Sequence, residues 1–262
     1  MIAIDTTLEK KVFARTPVLT PTITHYCPGC GHGIVHRLVA EAIEHYGIRE
    51  RAVCVAPVGC SVLAYKYVNI DMAEAAHGRA PAVATGIKRA RPELFVMTYQ
   101  GDGDLAAIGT AEIVHTANRG ENICTIFVNN AVYGMTGGQM APTTILGQKT
   151  TTTPAGRGSC GEGSPIKVCE MLSALDGPSY IARVTVNTPA AVRKAKQAII
   201  TAFGRQIDGR GFSLIEVLSP CPTYWRLPPA KAMTAIDEWM VKTFPLGVFK
   251  DKEAASANKA AS

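Results

Sequence analysis

Short apolar runs alternate with helical patterns along the chain, and this alternation is the strongest constraint on its fold. The helical patterns lie at residues 30–46 and at about 79–91, 104–119, 165–175 and 189–203. The apolar runs are rich in β-branched residues, are bounded by Gly, Pro, Asn or Ser, and cover residues 51–59, 94–100, 122–130, 179–186 and 211–218. The alternation predicts a doubly wound α/β fold, in which helices cover both faces of a mainly parallel sheet.

The sheet-forming pattern ends before residue 228, which suggests where the main domain ends. We expect residues 1–227 to form a single α/β domain that binds the ligands. Residues 228–262 are expected to form a C-terminal helix followed by a flexible tail, because they begin with a helical pattern and end in small and charged residues.

Composition and charge narrow the classes of partner. The chain has 262 residues, of which 47% are hydrophobic, enough for a large core. No segment reaches the roughly 18 consecutive apolar residues of a membrane span, so we expect a cytoplasmic protein without a membrane partner. The formal charge of +6 is spread along the chain, and no nucleic-acid partner is expected, because nucleic-acid binding proteins concentrate their basic residues on one face.

Two polar loops follow neighbouring apolar runs. The stretch GDGDLAAIG begins at Gly101 and follows the run 94–100, and Asn130 ends the run 122–130. In open α/β sheets ligands bind beyond the carboxyl ends of the strands. If the two strands are adjacent, Asp102 and Asn130 offer oxygen ligands for Mg²⁺, while Gly101 and Gly103 admit phosphate groups. Taken alone, Gly-Asp-Gly is equally well an ordinary turn.

The eight cysteines fall into separate groups. Cys27 and Cys30 form a Cys-x-x-Cys pair, which by itself fits a zinc site or redox chemistry as well as an iron–sulfur cluster. Cys60 and Cys221 each follow an apolar run, so these four thiols are expected to converge at one edge of the sheet. Two others, Cys54 and Cys124, lie inside apolar runs and are expected to act as small hydrophobic side chains. Cys160 and Cys169 have no assigned role.

Two motifs carry a resemblance to known enzymes. The Gly-Asp-Gly at 101–103, with Asn129-Asn130 at the end of the next run, resembles the cofactor fingerprint of thiamine diphosphate enzymes. The following VYGMTGGQ, residues 132–139, resembles the beta subunits of 2-oxoacid:ferredoxin oxidoreductases. The resemblance extends from about residue 20 to about residue 225. It implies a thiamine diphosphate-binding fold with Mg²⁺ held by Asp102, Asn130 and the backbone carbonyl of Val132.

The same resemblance implies two sets of binding residues. A [4Fe–4S] cluster is expected on Cys27, Cys30, Cys60 and Cys221. Thiamine diphosphate is expected to contact residues of four loops: Val58, Gly59, Cys60, Ser61, His77, Gly101, Asp102, Gly103, Asp104, Asn130, Val132, Gly134, Met135 and Thr136. For His77, a surface loop with a capping role is nearly as good an interpretation.

The implied activity is the oxidative decarboxylation of a 2-oxoacid to acyl-CoA and CO₂, with electrons passing through the cluster to ferredoxin or a ferredoxin-like subunit. The glutamate that activates thiamine diphosphate lies in a pyrimidine-binding domain in this family. We expect it from a partner subunit, so no catalytic residue is assigned in this chain. The alpha and gamma subunits are expected to supply that domain and the site for CoA and the 2-oxoacid.

The sequence leaves more than one substrate and more than one class of protein open. Met135 stands where pyruvate-specific relatives carry an Asn, which favours a branched-chain 2-oxoacid or 2-oxoglutarate over pyruvate. A non-oxidative thiamine-dependent decarboxylase subunit would share Asp102 and Asn130 but would need no cluster. A zinc-stabilised scaffold protein is a third hypothesis, and the paired cofactor loops count against it.

Overall fold

The computed structural model describes residues 14–253, and these form one twisted sheet covered by helices on both faces. The sheet has seven strands in the order β2-β1-β3-β4-β6-β5-β7. All neighbouring pairs are parallel except β5 and β7. The strands are β1 Ala52–Pro57, β2 Asp71–Ala75, β3 Phe95–Gly101, β4 Cys124–Asn129, β5 Tyr180–Thr185, β6 Ser213–Leu218 and β7 Gly247–Asp251. The predicted doubly wound α/β fold is confirmed.

Two of these strands, β2 and β7, are absent from the sequence prediction. Both lie at edges of the sheet and are half-exposed, so their sequences DMAEA and GVFKD lack a buried apolar run. The segment after residue 228 was expected to be a helix and a flexible tail, and β7 corrects this because it pairs with β5. The domain boundary at 227 stays a prediction, and the end of the tail, 254–262, lies outside the described residues.

The five predicted helical patterns are confirmed, four of them with shorter ends and the last, 189–203, extended to Ile207. The helices are α1 His32–His45, α2 Ala80–Ala90, α3 Thr110–Asn118, α4 Val168–Ser173, α5 Pro189–Ile207, α6 Pro222–Trp225, α7 Pro229–Ala235 and α8 Val241–Thr243. The predicted helix 104–119 is interrupted, because its first part, Asp104–Ile108, is a π-helical turn that ends at Gly109. A Cβ atom at Gly109 would lie 2.6 Å from the Asp104 carbonyl oxygen and 2.9 Å from that of Gly78.

Alternate residues of the strands build two cores on opposite faces of the sheet. On one face, Met97 and Ile126 pack with residues of α1 and α5. On the other face, Val96 and Phe127 pack with residues of α2, α3 and α4. Full burial of such a side chain contributes about 1.5–3 kcal/mol, so the two cores fix the sheet between its helical layers.

This topology collects several loops at one edge of the sheet. Because β1, β2, β3, β4 and β6 are mutually parallel, their carboxyl ends point the same way. The loops that follow them begin at residues 58, 76, 102, 130 and 219. Within residues 14–253, no helix is both long and apolar enough to cross a membrane.

Candidate cofactor and cluster site

A cavity of about 400 Å³ opens at this edge of the sheet, and we call it the edge pocket. Its wall includes every residue predicted to contact thiamine diphosphate. It also includes three that the prediction left out of that set, His32, Tyr133 and Gln139. Another cavity of about 500 Å³ is lined by Trp225, Trp239 and residues 145–149. The edge pocket is the candidate site because its wall combines two carboxylates, two side-chain amides and the thiol of Cys60.

Asp102 is a buried carboxylate without an ion-pair partner among the described residues. Its Oδ1 accepts a 2.9 Å hydrogen bond from the Gly103 backbone N–H, and its Oδ2 accepts one of 2.7 Å from Thr143 Oγ1. Burial raises the pKa of Asp102 to about 6 in spite of these hydrogen bonds. A buried carboxylate of this kind is stabilised by a bound cation, so Asp102 suits a metal ligand.

The loop Asn130–Val132 supplies further oxygen atoms. The Asn130 carbonyl accepts a 3.0 Å hydrogen bond from Trp225 Nε1, and the Ala131 carbonyl accepts one of 2.6 Å from Thr144 Oγ1. The Val132 carbonyl, by contrast, accepts no hydrogen bond from the described residues. Asn130 Oδ1 accepts the Val132 N–H at 3.2 Å and keeps a second lone pair. Asp102, Asn130 and Val132 therefore offer the oxygen donors that Mg²⁺ prefers.

Asp104 links two of the loops. Its Oδ1 accepts a 2.5 Å hydrogen bond from the Gly78 N–H and lies 3.0 Å from His77 Nδ1, while its Oδ2 accepts one of 2.6 Å from Gln100 Nε2. Burial raises the pKa of Asp104, against the lowering effect of these hydrogen bonds. Asp104 therefore holds His77 in the wall of the edge pocket.

Gly103 is required by the close approach of Tyr133. A Cβ atom at position 103 would lie 2.1 Å from a carbon of the Tyr133 ring. The Tyr133 hydroxyl is 3.4 Å from the Gly103 carbonyl oxygen, to which it donates. The Tyr133 ring therefore packs directly against the backbone of Gly103. The same ring also lines the edge pocket.

The four predicted cluster cysteines lie together beside the edge pocket. The four thiols form six pairs, and in each pair the two thiols are close enough for a negative charge on one to raise the pKa of the other. Burial is the main reason why the pKa is raised to about 11 for Cys30 and Cys60 and to about 12 for Cys221. Cys27 is exposed, and all four thiols are free.

Packing of two loops brings these thiols to one place. The Gly31 N–H donates a 3.1 Å hydrogen bond to Ser219 Oγ, which ties the start of α1 to the end of β6. A Cβ atom at Gly29, between Cys27 and Cys30, would lie 2.7 Å from Cβ of Pro229. The loop of Cys27 and Cys30 therefore lies against the segment that follows Cys221.

The four thiols form a donor set rather than a compact metal site. Among residues 14–253, no three His, Cys, Asp or Glu side chains are close enough together to hold a single ion. Four cysteine thiolates are the usual ligands of a [4Fe–4S] cluster and also of a structural zinc ion. The cluster on these four residues therefore stays a prediction.

The remaining cysteines lie outside this set. Cys54 and Cys124 are buried in the sheet, as expected of small hydrophobic side chains, and burial raises the pKa of each to about 12. Cys169 is buried in α4 and Cys160 is exposed in a loop.

His32 is the most informative residue that the predicted cofactor set omitted. Its Nδ1 and the Tyr99 hydroxyl share a 2.8 Å hydrogen bond, and the Tyr26 ring stacks on it at 4.7 Å. Burial lowers the pKa of His32 to about 3, so the ring is neutral. The sequence signal was its position two residues after Cys30. In the same pocket, the buried Ser61 hydroxyl has no partner among the described residues, which leaves it available to a ligand.

One protein-family model matches residues 57–217 of the chain. Its description is "Thiamine pyrophosphate enzyme, C-terminal TPP binding domain". This range holds β2, β3, β4 and β5 in full, the last residue of β1 and all but the last residue of β6. It also contains Asp102, Asn130 and Val132.

Two curated relatives share extensive sequence with the chain. Ketoisovalerate oxidoreductase subunit VorA of Methanothermobacter thermautotrophicus is 51% identical over 243 residues, which are 93% of this chain and 51% of the relative. The chain thus spans about half the length of that relative. The 2-oxoglutarate synthase subunit KorB of Archaeoglobus fulgidus is 39% identical over 226 residues, 86% of this chain and 79% of the relative.

A solved structure is similar over most of the chain. It is that of the 2-oxoglutarate:ferredoxin oxidoreductase from Magnetococcus marinus with 2-oxoglutarate, coenzyme A and succinyl-CoA bound. The TM-score is 0.74 at 27% identity, and the match covers 93% of this chain and 87% of the other. The family match, the sequence relatives and this structure agree, and the chain belongs to the 2-oxoacid:ferredoxin oxidoreductase family, as a subunit with the thiamine diphosphate-binding domain.

Proposed function

We propose that this chain is the beta subunit of a CoA-acylating oxidoreductase that decarboxylates a branched-chain 2-oxoacid and passes the electrons through a [4Fe–4S] cluster to ferredoxin. One observation carries the proposal: Asp102, Asn130, Val132 and Cys60 line one pocket, and Cys221 Sγ lies beside its wall at Gly134. A non-oxidative decarboxylase needs only the first of these two sets.

The metal-binding oxygens act as an anchor for the cofactor. In this proposal Asp102, Asn130 and the Val132 carbonyl hold Mg²⁺, which in turn binds the diphosphate. The glycines on either side of Asp102 leave the backbone accessible, and the N–H groups that begin the turn Asp104–Ile108 favour the negative charge. Thiamine diphosphate, when bound, supplies the carbon nucleophile and the electron sink for the decarboxylation.

The thiol set provides the route for the electrons. The oxidation releases an electron pair, whereas an iron–sulfur cluster accepts one electron at a time. Two successive transfers are therefore needed, and each of them requires the cluster to lie close to the cofactor. Gly134 and Cys60 both line the edge pocket, and a Cβ atom at Gly134 would lie 3.2 Å from Cys60 Sγ and 3.8 Å from Cys221 Sγ. Because Gly134 has no side chain, the two sulfur atoms lie close to the backbone of the pocket wall.

The pocket wall favours an apolar substrate side chain. Val58 and Met135 are large apolar residues of the wall, 45% and 44% exposed respectively. No Lys or Arg is among the described residues that line the pocket, so this wall lacks the Lys or Arg side chain that would form an ion pair with the second carboxylate of 2-oxoglutarate. The 51% identity to a ketoisovalerate oxidoreductase subunit, against 39% to a 2-oxoglutarate synthase subunit, supports the same choice.

Partner subunits complete the proposed site. The described lining of the edge pocket contains no Glu, and we propose that the activating glutamate belongs to the pyrimidine-binding domain of a partner. The alpha and gamma subunits would also supply the CoA site and the remainder of the 2-oxoacid site.

An anaerobic substrate screen tests this proposal. The chain with its co-purifying subunits is assayed for CoA-dependent reduction of ferredoxin with 2-oxoisovalerate, 2-oxoglutarate and pyruvate. We expect the highest kcat/KM with 2-oxoisovalerate. A preference for either other acid contradicts the substrate assignment, and CO₂ release without CoA-dependent reduction contradicts the oxidoreductase assignment.

A further inference from the structure

A buried carboxylate inside the sheet is linked by hydrogen bonds to the loop that carries the proposed metal ligands. Glu216 lies in the middle of β6, and Asn129 ends the neighbouring strand β4. Both residues are fully buried. Asn129 Nδ2 donates a 2.8 Å hydrogen bond to Glu216 Oε1. The edge pocket wall includes neither residue, so their part in the site must be indirect.

The other end of the Asn129 side chain shapes the loop. Its Oδ1 accepts a 3.1 Å hydrogen bond from the Ala131 N–H. Ala131 has a φ of 60°, a left-handed conformation that is unusual and strained for a residue other than Gly. The chain reverses there, and Asn130 and Val132 on either side both face the edge pocket.

Glu216 is itself held by a buried arginine. Arg183 Nε donates a 2.8 Å hydrogen bond to Glu216 Oε2. The same guanidinium binds Glu170 with hydrogen bonds of 3.0 and 2.5 Å, and it donates one of 3.0 Å to the Pro245 carbonyl. One oxygen of Glu216 is therefore committed to Arg183 and the other to Asn129.

Donor and acceptor requirements then fix the orientation of the Asn129 amide. An ionised carboxylate only accepts hydrogen bonds, so the NH₂ group of Asn129 must face Glu216. This leaves Asn129 Oδ1, and not Nδ2, opposite the Ala131 N–H. If residue 216 were Gln, its oxygen would turn to Arg183 and its NH₂ group to Asn129. The Asn129 amide would then reverse, and two donors would meet at Ala131.

We propose that Glu216 is a positioning residue for the metal and diphosphate site, acting through the Asn129 amide to hold Asn130 and Val132 in place. This inference rests on the proposed function, since it assumes that these two residues bind Mg²⁺. Partners one step removed from a metal ligand commonly change metal affinity by about 10–100-fold when they are replaced.

The matched pair Glu216→Gln and Glu170→Gln tests the proposal. Both substitutions remove one carboxylate from Arg183, but only the first alters Asn129. The chain is purified with its partner subunits, and thiamine diphosphate binding is titrated against Mg²⁺ by calorimetry. We expect Glu216→Gln to raise the Mg²⁺ concentration for half-maximal binding by about 10–100-fold, and Glu170→Gln to leave it close to the wild-type value. Iron content should stay unchanged in both.

Equal Mg²⁺ dependence in the wild type and Glu216→Gln, or equal shifts in the two variants, overturns the inference. If Glu216→Gln does not fold, Asn129→Ala removes the same link and must show the same shift. In the double variant of Asn129 and Glu216, the second substitution should add nothing. If the wild type shows no Mg²⁺-dependent binding of thiamine diphosphate, the proposed function is contradicted, and this inference is contradicted with it.

Discussion

The sulfur atoms of Cys60 and Cys221 lie on the same side of Gly134. A Cβ atom at position 134 would be 3.2 Å from Cys60 Sγ and 3.8 Å from Cys221 Sγ. Cys60 follows β1 and Cys221 follows β6, so only the parallel sheet brings them together. This contact places the proposed cluster against the loop that lines the edge pocket.

Replacement of a cluster cysteine should remove the cluster. We expect Cys221→Ser to abolish the visible absorption of the anaerobic protein and to lower its iron content, because the cluster loses one of its four thiolates. Cys160→Ser is the control, since Cys160 is exposed and is not one of the four. Unchanged iron and absorption in Cys221→Ser would remove Cys221 from the ligand set.

Asp102→Asn should separate the two proposed cofactors. The substitution keeps the shape of the side chain but removes the charge that the proposed Mg²⁺ site needs. We expect Mg²⁺-dependent binding of thiamine diphosphate to weaken by at least about 100-fold, since a charge-paired buried interaction contributes about 3–5 kcal/mol. Calorimetry measures the binding, and the iron content should stay at the wild-type value. Equal loss of iron would indicate general misfolding and contradict a specific role for Asp102.

Gly103→Ala and Gly101→Ala should differ in their effect on stability. A Cβ atom at 103 would overlap the Tyr133 ring, whereas no atom lies within 4 Å of a Cβ at 101. Overpacking of this kind costs about 1–3 kcal/mol. We therefore expect chemical denaturation to show a lower free energy of unfolding for Gly103→Ala alone. Equal stability of the two variants would show that Tyr133 moves aside without cost.

His36 should make the protein less stable in acid. It is buried, and its Nε2 shares a 2.9 Å hydrogen bond with the Tyr26 hydroxyl. Burial, with smaller effects of His32 and His25, lowers the pKa of His36 from 6.5 to about 3. The neutral ring therefore contributes stability that is fully present above pH 6.5 and is lost as the pH falls from there towards 3.

The variant His36→Gln should reduce this loss. Between pH 6 and pH 5, we expect the unfolding free energy of the variant to fall by up to about 1.4 kcal/mol less than that of the wild type, which is the value for one proton per pH unit. His45→Gln is the control, because His45 is exposed on the same helix. Parallel pH profiles for the wild type and His36→Gln would contradict the prediction.

Buried strands were predictable and edge strands were not. Strands β3 and β4 are continuous buried apolar runs whose burial is visible in the sequence. Strands β2 and β7 join the sheet through backbone hydrogen bonds at its edges. Backbone hydrogen bonds do not depend on side-chain type, so the sequence pattern does not predict these two strands. The interruption of helix 104–119 depends on the approach of Gly78 to Gly109, a contact between distant segments.

The candidate site was predictable as far as it depends on loops after strands. The parallel topology gathers all of the predicted cofactor residues around one cavity, although their binding roles stay predictions. His32 was not included among them, because a helical pattern does not show which face meets a pocket. The link from Glu216 to Asn129 was also missed, because a charged residue within an apolar run does not reveal its buried partner.

The iron–sulfur cluster that we propose beside the thiamine diphosphate site can be tested by direct analysis of the protein. The most direct test is the iron, sulfide, zinc and thiamine diphosphate content of the anaerobically purified complex, with an electron paramagnetic resonance spectrum after dithionite reduction. We predict about four irons and four sulfides assigned to this chain, lost in Cys221→Ser, with a reduced-cluster signal and bound thiamine diphosphate. Zinc without iron on Cys27, Cys30, Cys60 and Cys221 would contradict the proposed iron–sulfur cluster.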